Sequence, residues 1–400
     1  MVVRRRKLGV RLSKCHRRTA AIFSGSLARC EPMRIANLTI IAVIFLAFQS
    51  EAKSIKIAEE AYKLVNLSIV KTHIRPRYVN FAIAGSNFHN HITKLCTDGS
   101  SGQLELSRTA FKTIVGAWMG IGHIQDGPVK LYMRQVRVQF WPDKRGRTGK
   151  QLRAFLEAAD ASVLGPKKFP RISIALQGFG VAERLLFMPR HSNHIIESPK
   201  GLRCKLLRAV ANSLAQIGAQ IVQEWGSGEG SFATEMRDAG QSLSRFNSHR
   251  EVTVMLVNGL FTSLKFITDF KLDRILGKTI AKARPKRAES WLCGRSRQNI
   301  IDNLTALQAL YKGENGGQGL EVLIPRDNER LGKLLTIAFD KTLRTARRHG
   351  MPLVRGVSDR TSRETLLILA RQTRALKALV ARELAPVLGT PLGFNALDGD

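Results

Sequence analysis

The chain has 400 residues, 44% of them hydrophobic and 6% aromatic, which is enough for one large or two ordinary globular domains. Lysine and arginine outnumber aspartate and glutamate by 64 to 31, a formal net charge of +33 that points to contact with an anionic surface. The five cysteines include no C-x-x-C pair, which argues against a thiolate zinc site or a thioredoxin-type motif.

Residues 1–32 are a basic extension (Arg4, Arg5, Arg6, Lys7, Arg11, Lys14, Arg17, Arg18) without apolar periodicity. At residues 33–52 the pattern becomes that of a secretory signal peptide. Met33 and Arg34 open it, residues 38–48 are apolar, and Ser50 and Ala52 put small residues at −3 and −1 of a cleavage site. The apolar run is too short for a stable membrane span. The extension is then either an over-long n-region or an upstream start that is not used, and the second is favoured. The expected location is the periplasm. Beyond Ala52 the chain keeps 54 basic against 29 acidic residues, a net charge of +25. Lipid headgroups or envelope polysaccharide would match that charge, and a general basic bias of composition explains it equally well. Export removes most of the case for nucleic acid, and no nucleic-acid partner is expected. Of the cysteines, Cys96, Cys204 and Cys293 remain, so at most one intramolecular disulfide can form; Cys96 with Cys204 is the expected pair.

The rest reads as helix after helix. Ile57, Ala61, Leu64 and Ile69 recur at helical spacing, and Pro76 is expected to interrupt, lacking an N–H. Phe81, Phe88, Ile92 and Leu95 mark a second run that ends in a turn over 97–102. A third covers 104–124 and stops at Gly127-Pro128. Residues 140–149 read as a loop, 151–159 and 172–187 as helices, and 202–225 as a long helix with one strongly apolar face. Residues 226–244 are the clearest linker. A capping box, Ser248-x-x-Glu251, precedes a helix over 252–270. Further helices are expected over 296–311, 328–348 and 363–384, the last behind Thr361-x-x-Glu364, with a flexible connection over 313–319. No stretch alternates convincingly as a strand. The architecture predicted is all-α, with two antiparallel four-helix-bundle domains over 53–197 and 198–400.

Several strings, taken in order, resemble the imelysin-like family of bacterial cell-envelope proteins. Gly127-Pro128, Arg137, Phe140-Trp141-Pro142-Asp143 and Arg145-Gly146 look like one of its segments, with Asp126 where the family has Phe. Gln177 to Leu186 resembles its signature helix. Ala288-Glu289-Ser290-Trp291 and Gly294-Arg295-Ser296 resemble a third block, followed by Asn303-Leu304 and Tyr311. Gly393-Phe394-Asn395 with Asp398-Gly399-Asp400 resembles the ending of one branch. The likeness covers nearly all of residues 55–400. It implies two helical bundles with a functional cleft where they meet, an envelope location, an association with iron uptake in some members, and membership of a group classed as metallopeptidases.

The signature helix of that family carries G-x-H-x-x-E. A His and a Glu three apart share one helix face and can meet at one metal. Here Glu183 is present, but the histidine position is Gly180. Glu183 is therefore either a cleft-lining metal ligand, for a divalent ion or iron, or a surface carboxylate paired with a base such as Arg184. Gly178 and Gly180 would each cost about 1 kcal/mol in a helix interior, which close helix packing or a ligand approaching the main chain would offset. Arg137, Trp141, Arg295 and Ser296 match motif positions and are candidate cleft residues. Arg offers a donor fork for carboxylate or phosphate, Trp141 equally suits a packing anchor, and Ser296 an N-cap. His123 with Asp126 has i,i+3 geometry, and a helix-terminal His is the blander reading. His89 and His91 face different ways; His191 and His194 lie in an expected loop. Asp398 and Asp400 form a cluster of hard oxygens at the end of the chain. The expected function is non-catalytic binding of a metal ion such as iron, or of another small envelope ligand, with possible contact to an anionic membrane surface. The alternatives are a metal-dependent peptidase and an electrostatic adaptor on anionic surfaces.

Overall fold

The computed structural model describes residues 57–392 except Ser227, Leu243, His349 and Pro391. The basic extension, the expected signal peptide and the Asp398–Asp400 cluster lie outside the described residues. Among the described residues there are helices and no strand, so the all-α expectation holds.

Helix α1, Glu59–Ile69, runs through a π turn, Val70–Ile74, straight into α2, Arg75–Asp98. Pro76 therefore does not stop the helix. Its missing N–H would have bonded the carbonyl of Thr72, and the Asn315 side-chain amide takes that carbonyl instead, at 3.0 Å. Gly99, left-handed at φ +62, ends α2, and Ser100 caps α3, Ser101–Met119, by accepting the Gln103 N–H. α4 is Arg147–Ala158. The helix expected over 172–187 begins only at Phe179: single 3₁₀ turns at Phe169–Arg171 and Ile174–Leu176 precede α5, Phe179–Phe187. The expected loop holding His191 and His194 is a helix, α6, Pro189–Glu197, whose proline occupies the first turn, where an N–H is not needed.

α7, Leu202–Glu224, packs antiparallel along α2. Small residues let the two backbones approach: a Cβ on Gly85 would lie 3.2 Å from Ala215 Cα, and one on Gly218 only 2.9 Å from Ala82 Cα. The Cys96–Cys204 disulfide forms as expected and ties the end of α2 to the start of α7 across 108 residues of chain. Closing a loop of that length restricts the unfolded chain strongly. Reduction, or the double change Cys96→Ser with Cys204→Ser, is expected to lower stability by about 2–4 kcal/mol in a denaturant titration.

The stretch 226–244 is not a linker. It holds a short helix, Phe232–Arg237, whose Phe232 and Met236 are buried, with Phe232 edge-on to Trp225 at 4.9 Å. α8, His249–Phe266, starts at the expected cap: Ser248 Oγ accepts the Glu251 N–H, and Glu251 reaches back to the Asn247 N–H. It continues through a second π turn, Ile267–Asp273, to Leu276. That continuous run is long and apolar enough to cross a membrane, but Leu256, Val257, Leu260 and Leu264 on it are buried in the core. α9 is Ser296–Lys312, and its N-cap is Arg295 rather than Ser296. α10, Glu329–Arg348, buries Leu331, Leu335, Phe339 and Leu343 along one stripe. α11, Arg360–Leu379, is capped by Asp359, which accepts the Ser362 N–H; the Thr361-x-x-Glu364 pattern falls inside the helix. α2 packs with α3 and α7; α8 packs with α1, α9 and α11, and α10 with α9 and α11; α3 against α9 joins the two groups. The buried apolar residues form one continuous cluster.

Candidate functional site

A cavity of about 210 Å³ opens where three separate segments meet: the loop over 139–146, the first turn and a half of α5, and the irregular stretch 286–292. Each segment contains one of the strings singled out in the sequence. Trp141, Gly180 and Glu183 all line it. Gly178, Arg137, Arg295 and Ser296 do not, and each has a different task.

Gly178 is the N-cap of α5, not a mid-helix residue, and adopts φ +69, ψ −157. A Cβ there would sit 2.2 Å from the carbonyl oxygens of both Arg137 and Val138. Only glycine permits this crossing, and it fixes the loop leading into Gln139 against the start of α5. Arg137 lies behind the wall, donating to Gln177 Oε1 at 2.9 Å and to Ser213 Oγ at 3.3 Å. Burial and the nearby Arg134 charge lower the pKa of its guanidinium. Arg295 turns toward α3, where its guanidinium lies over Gly116, and it pairs with Asp302. Ser296 is buried and donates to the Glu289 carbonyl at 2.5 Å.

Gly180 differs from Gly178. It is the second residue of α5, and a Cβ on it would meet only Thr148, at an ordinary 3.5 Å. No close helix crossing demands glycine there, so its effect is to leave the first turn of α5 open to the cavity. Glu183, one turn on, is 8% exposed. Its Oε1 accepts the Cys293 N–H at 3.0 Å. Burial pushes its carboxyl pKa up, and the Cys293 backbone bond only partly offsets this. The surface-carboxylate reading is thus excluded, since Glu183 is a buried group facing the cavity. Beside it the Cys293 thiol is buried and, pushed up by that burial and by the Glu183 charge, is held protonated.

A second acid of the cavity is Glu289, 4% exposed. Its Oε2 accepts from Lys271 Nζ and from Asn299 Nδ2, both at 2.7 Å, and its Oε1 accepts from Gln139 Nε2 at 2.7 Å. Trp118 Nε1 donates to Gln139 Oε1 at 2.8 Å, and Lys271 also donates to Asn303 Oδ1 at 2.6 Å. Lys271 stands on the π turn after α8, where the widened backbone re-aims one side chain inward. Asp143 is occupied too, accepting the backbone N–H groups of Arg147 and Thr148 at the start of α4. The basic groups around the cavity are different. Arg184, Arg274, Lys286 and Arg287 line it, and none has a carboxylate within ion-pair distance among the described residues. Trp141 meets Phe266 edge-on at 5.5 Å, and the Trp141–Pro142 peptide is cis. Sequence reasoning missed Gln139, Lys271, Arg274, Lys286 and Arg287. Asp143, Glu289 and Trp291 do stand within the motif strings.

The histidines singled out in the sequence lie elsewhere. His123 does not meet Asp126, which pairs with Lys130; its Nε2 is 2.7 Å from His73 Nε2. His73, on the first π turn, places Nδ1 at 2.5 Å from Glu314 Oε1, and Arg77 grips both oxygens of the same carboxylate. Both imidazoles are buried, and burial lowers their pKa values. Burial raises Glu314, but the hydrogen bonds from His73 and Arg77 more than offset it and hold that carboxyl at about 2. All three groups bind fewer protons folded than unfolded. Their stabilisation is complete above the ordinary histidine pKa and is lost as pH falls, first through the imidazoles and then, below about pH 4.5, through Glu314. Unfolding free energy from urea titrations is expected to fall from pH 7 to pH 5, with a slope of up to about 1.4 kcal/mol per pH unit for each imidazole, and His73→Gln with His123→Gln should flatten it. His191 and His194 sit on α6, away from the cavity; His191 accepts from Arg203, and burial with the surrounding arginines holds it at about 4. His91 is engaged by Gln103, and His89 is a separate, partly buried ring.

The donor set can be tested against a metal. A hydrolytic metal needs about three protein ligands and an open position. No group of three or more His, Cys, Asp or Glu among the described residues is arranged to hold an ion. At the cavity Glu183 is the one acid not already saturated by several donors, and it has no imidazole or second free carboxylate beside it. The residues present do not fit a metal held on protein side chains.

An all-α protein whose cavity is walled by the 139–146 loop, α5 and the 286–292 segment is the class this geometry defines. The imelysin family model, a peptidase grouping, matches residues 74–380. The chain belongs to the imelysin family. Two solved structures share the fold: an imelysin-like protein from Psychrobacter arcticum 273-4, with TM-score 0.69 and 17% identity over 85% of this chain and 99% of that one; and a protein from Parabacteroides distasonis ATCC 8503 described as an iron-regulated protein A precursor, with TM-score 0.67 and 17% identity over 81% and 95%. Among curated proteins none matches the chain.

Proposed function

We propose that this imelysin-family chain is a non-catalytic binding protein of the cell envelope that holds a small ligand in the cavity between the 139–146 loop, α5 and the 286–292 segment. The observation that carries this reading is the state of the cavity's acids. Glu289 and Asp143 are saturated with donors, which leaves Glu183 with no imidazole or second free carboxylate to hold a catalytic metal with it. The envelope location rests on the signal-like pattern over 33–52 and on a disulfide, Cys96–Cys204, that persists in oxidising compartments. The relative described as iron-regulated makes an iron-responsive setting the natural one for this chain too. The alternative, a metal-dependent peptidase, is tested by incubating the purified chain with casein and zinc, with and without EDTA. No cleavage is expected; cleavage that EDTA abolishes would overturn the reading.

A further inference from the structure

The cations around the cavity are unusual for how they are left. Arg274 stands at the end of the π-containing run after α8, and its Nη1 is buried with no hydrogen-bond partner. Burial disfavours its charge, and the nearby Arg287 and Arg284 disfavour it further. Lys286 and Arg287 line the same cavity, on a 3₁₀ turn that packs against the Arg274 segment. A half-buried guanidinium with one buried nitrogen left without a partner, beside like charges, raises the free energy of the protein. An anion in the cavity would remove that penalty. The acids present do not act as that anion. Glu289 is ion-paired to Lys271, and Asp143 caps α4. Glu183 faces Cys293. The first turn of α5 adds to the attraction, because Gly178 supplies no capping side chain and Gly180 no Cβ to cover the backbone.

We propose that the cavity takes a small oxyanion of two or more negative charges, a polycarboxylate or a phosphate, seated against Arg274 with Lys286 and Arg287 and facing the open first turn of α5. The volume of about 210 Å³ lies below the roughly 300–1,000 Å³ of drug-sized pockets, so the ligand is small. Arginine's planar fork suits either group. The assignment rests on the binding reading above and names its ligand class.

Calorimetric titration of the full chain with citrate and with inorganic phosphate tests it. One equivalent of at least one of them is expected to bind. Arg274→Gln and the double change Lys286→Gln with Arg287→Gln should each weaken binding at least tenfold, while Arg330→Gln, an exposed change far along the chain on α10, should shift it less than twofold. Thermal melts of each variant separate lost binding from lost folding, and the exposed pair Lys286 and Arg287 keeps the test sound if Arg274→Gln unfolds. Equal losses in all variants would mean general attraction to a basic surface and would overturn the proposal. So would failure of both anions to bind. If an uncharged sugar or peptide then binds and Gly180→Leu abolishes it, the anion is wrong while the cavity remains a binding site. EDTA-sensitive cleavage of casein would instead remove the binding reading itself.

Discussion

Replacing Glu289 with alanine is expected to destabilise the protein by about 3–5 kcal/mol, the loss typical of a buried ion pair stripped of one partner. The Lys271 and Glu289 side chains are 5% and 4% exposed. Without the carboxylate, Lys271 keeps Asn303 Oδ1 and a contact to Met119 Sδ, so an ammonium stays buried with its charge uncompensated. Gln139 and Asn299 each lose an acceptor as well. Two companion variants make the cause specific. Glu289→Gln keeps hydrogen bonding while removing the charge, and should lose less. Lys271→Met combined with Glu289→Leu removes both charges, and should recover most of the stability, because a well-packed apolar pair often matches a buried ion pair. Urea titrations of the three variants check this. A loss below about 1 kcal/mol in Glu289→Ala would mean that water reaches Lys271.

The second large effect is at Gly178. Its φ and ψ of +69 and −157 lie in a region essentially reserved for glycine. Forcing an L side chain there costs of order 1–3 kcal/mol before any contact is counted. A Cβ would also sit 2.2 Å from two backbone oxygens, Arg137 O and Val138 O, which cannot rotate away as a side chain could. Gly178→Ala is therefore expected to lose about 3 kcal/mol or more and to displace the loop that carries Gln139 and Trp141. Gly180→Ala, two residues on, meets Thr148 at 3.5 Å and should change stability by no more than about 0.5 kcal/mol in either direction. Paired urea titrations of the two variants measure that contrast.

These two residues also show where the sequence was legible. The string around Gly178 and Glu183 located the cavity wall, and the Trp141 and Ala288–Trp291 strings located the other two walls. What their order along the chain did not reveal was the partition of tasks. Gly178 and Gly180 look alike as letters, and only the crossing of Arg137 and Val138 separates a required glycine from a permissive one. The helices were legible from period and caps, as at Ser248. They are not legible where local letters and tertiary context disagree. Pro76 reads as a break because the rescue of the Thr72 carbonyl comes from Asn315, more than 200 residues away. Pro189 reads as loop although a helix's first turn accepts proline. Phe232 reads as linker because glycine and serine surround it, while Trp225 and Phe246 bury it. The Lys271–Glu289 pair and the unpaired Arg274 were illegible for one reason. Both depend on a π turn, which carries no letter signature and rotates the side chains that follow it off the regular helical face.

The most direct test of the central claim is equilibrium dialysis of the purified chain against ferrous, ferric-citrate and zinc solutions, repeated with Glu183→Gln. The structure predicts no uptake of ferrous iron or zinc that depends on Glu183, and uptake from ferric citrate only in proportion to citrate. One equivalent of bare metal ion retained by the native chain and lost in Glu183→Gln would contradict it.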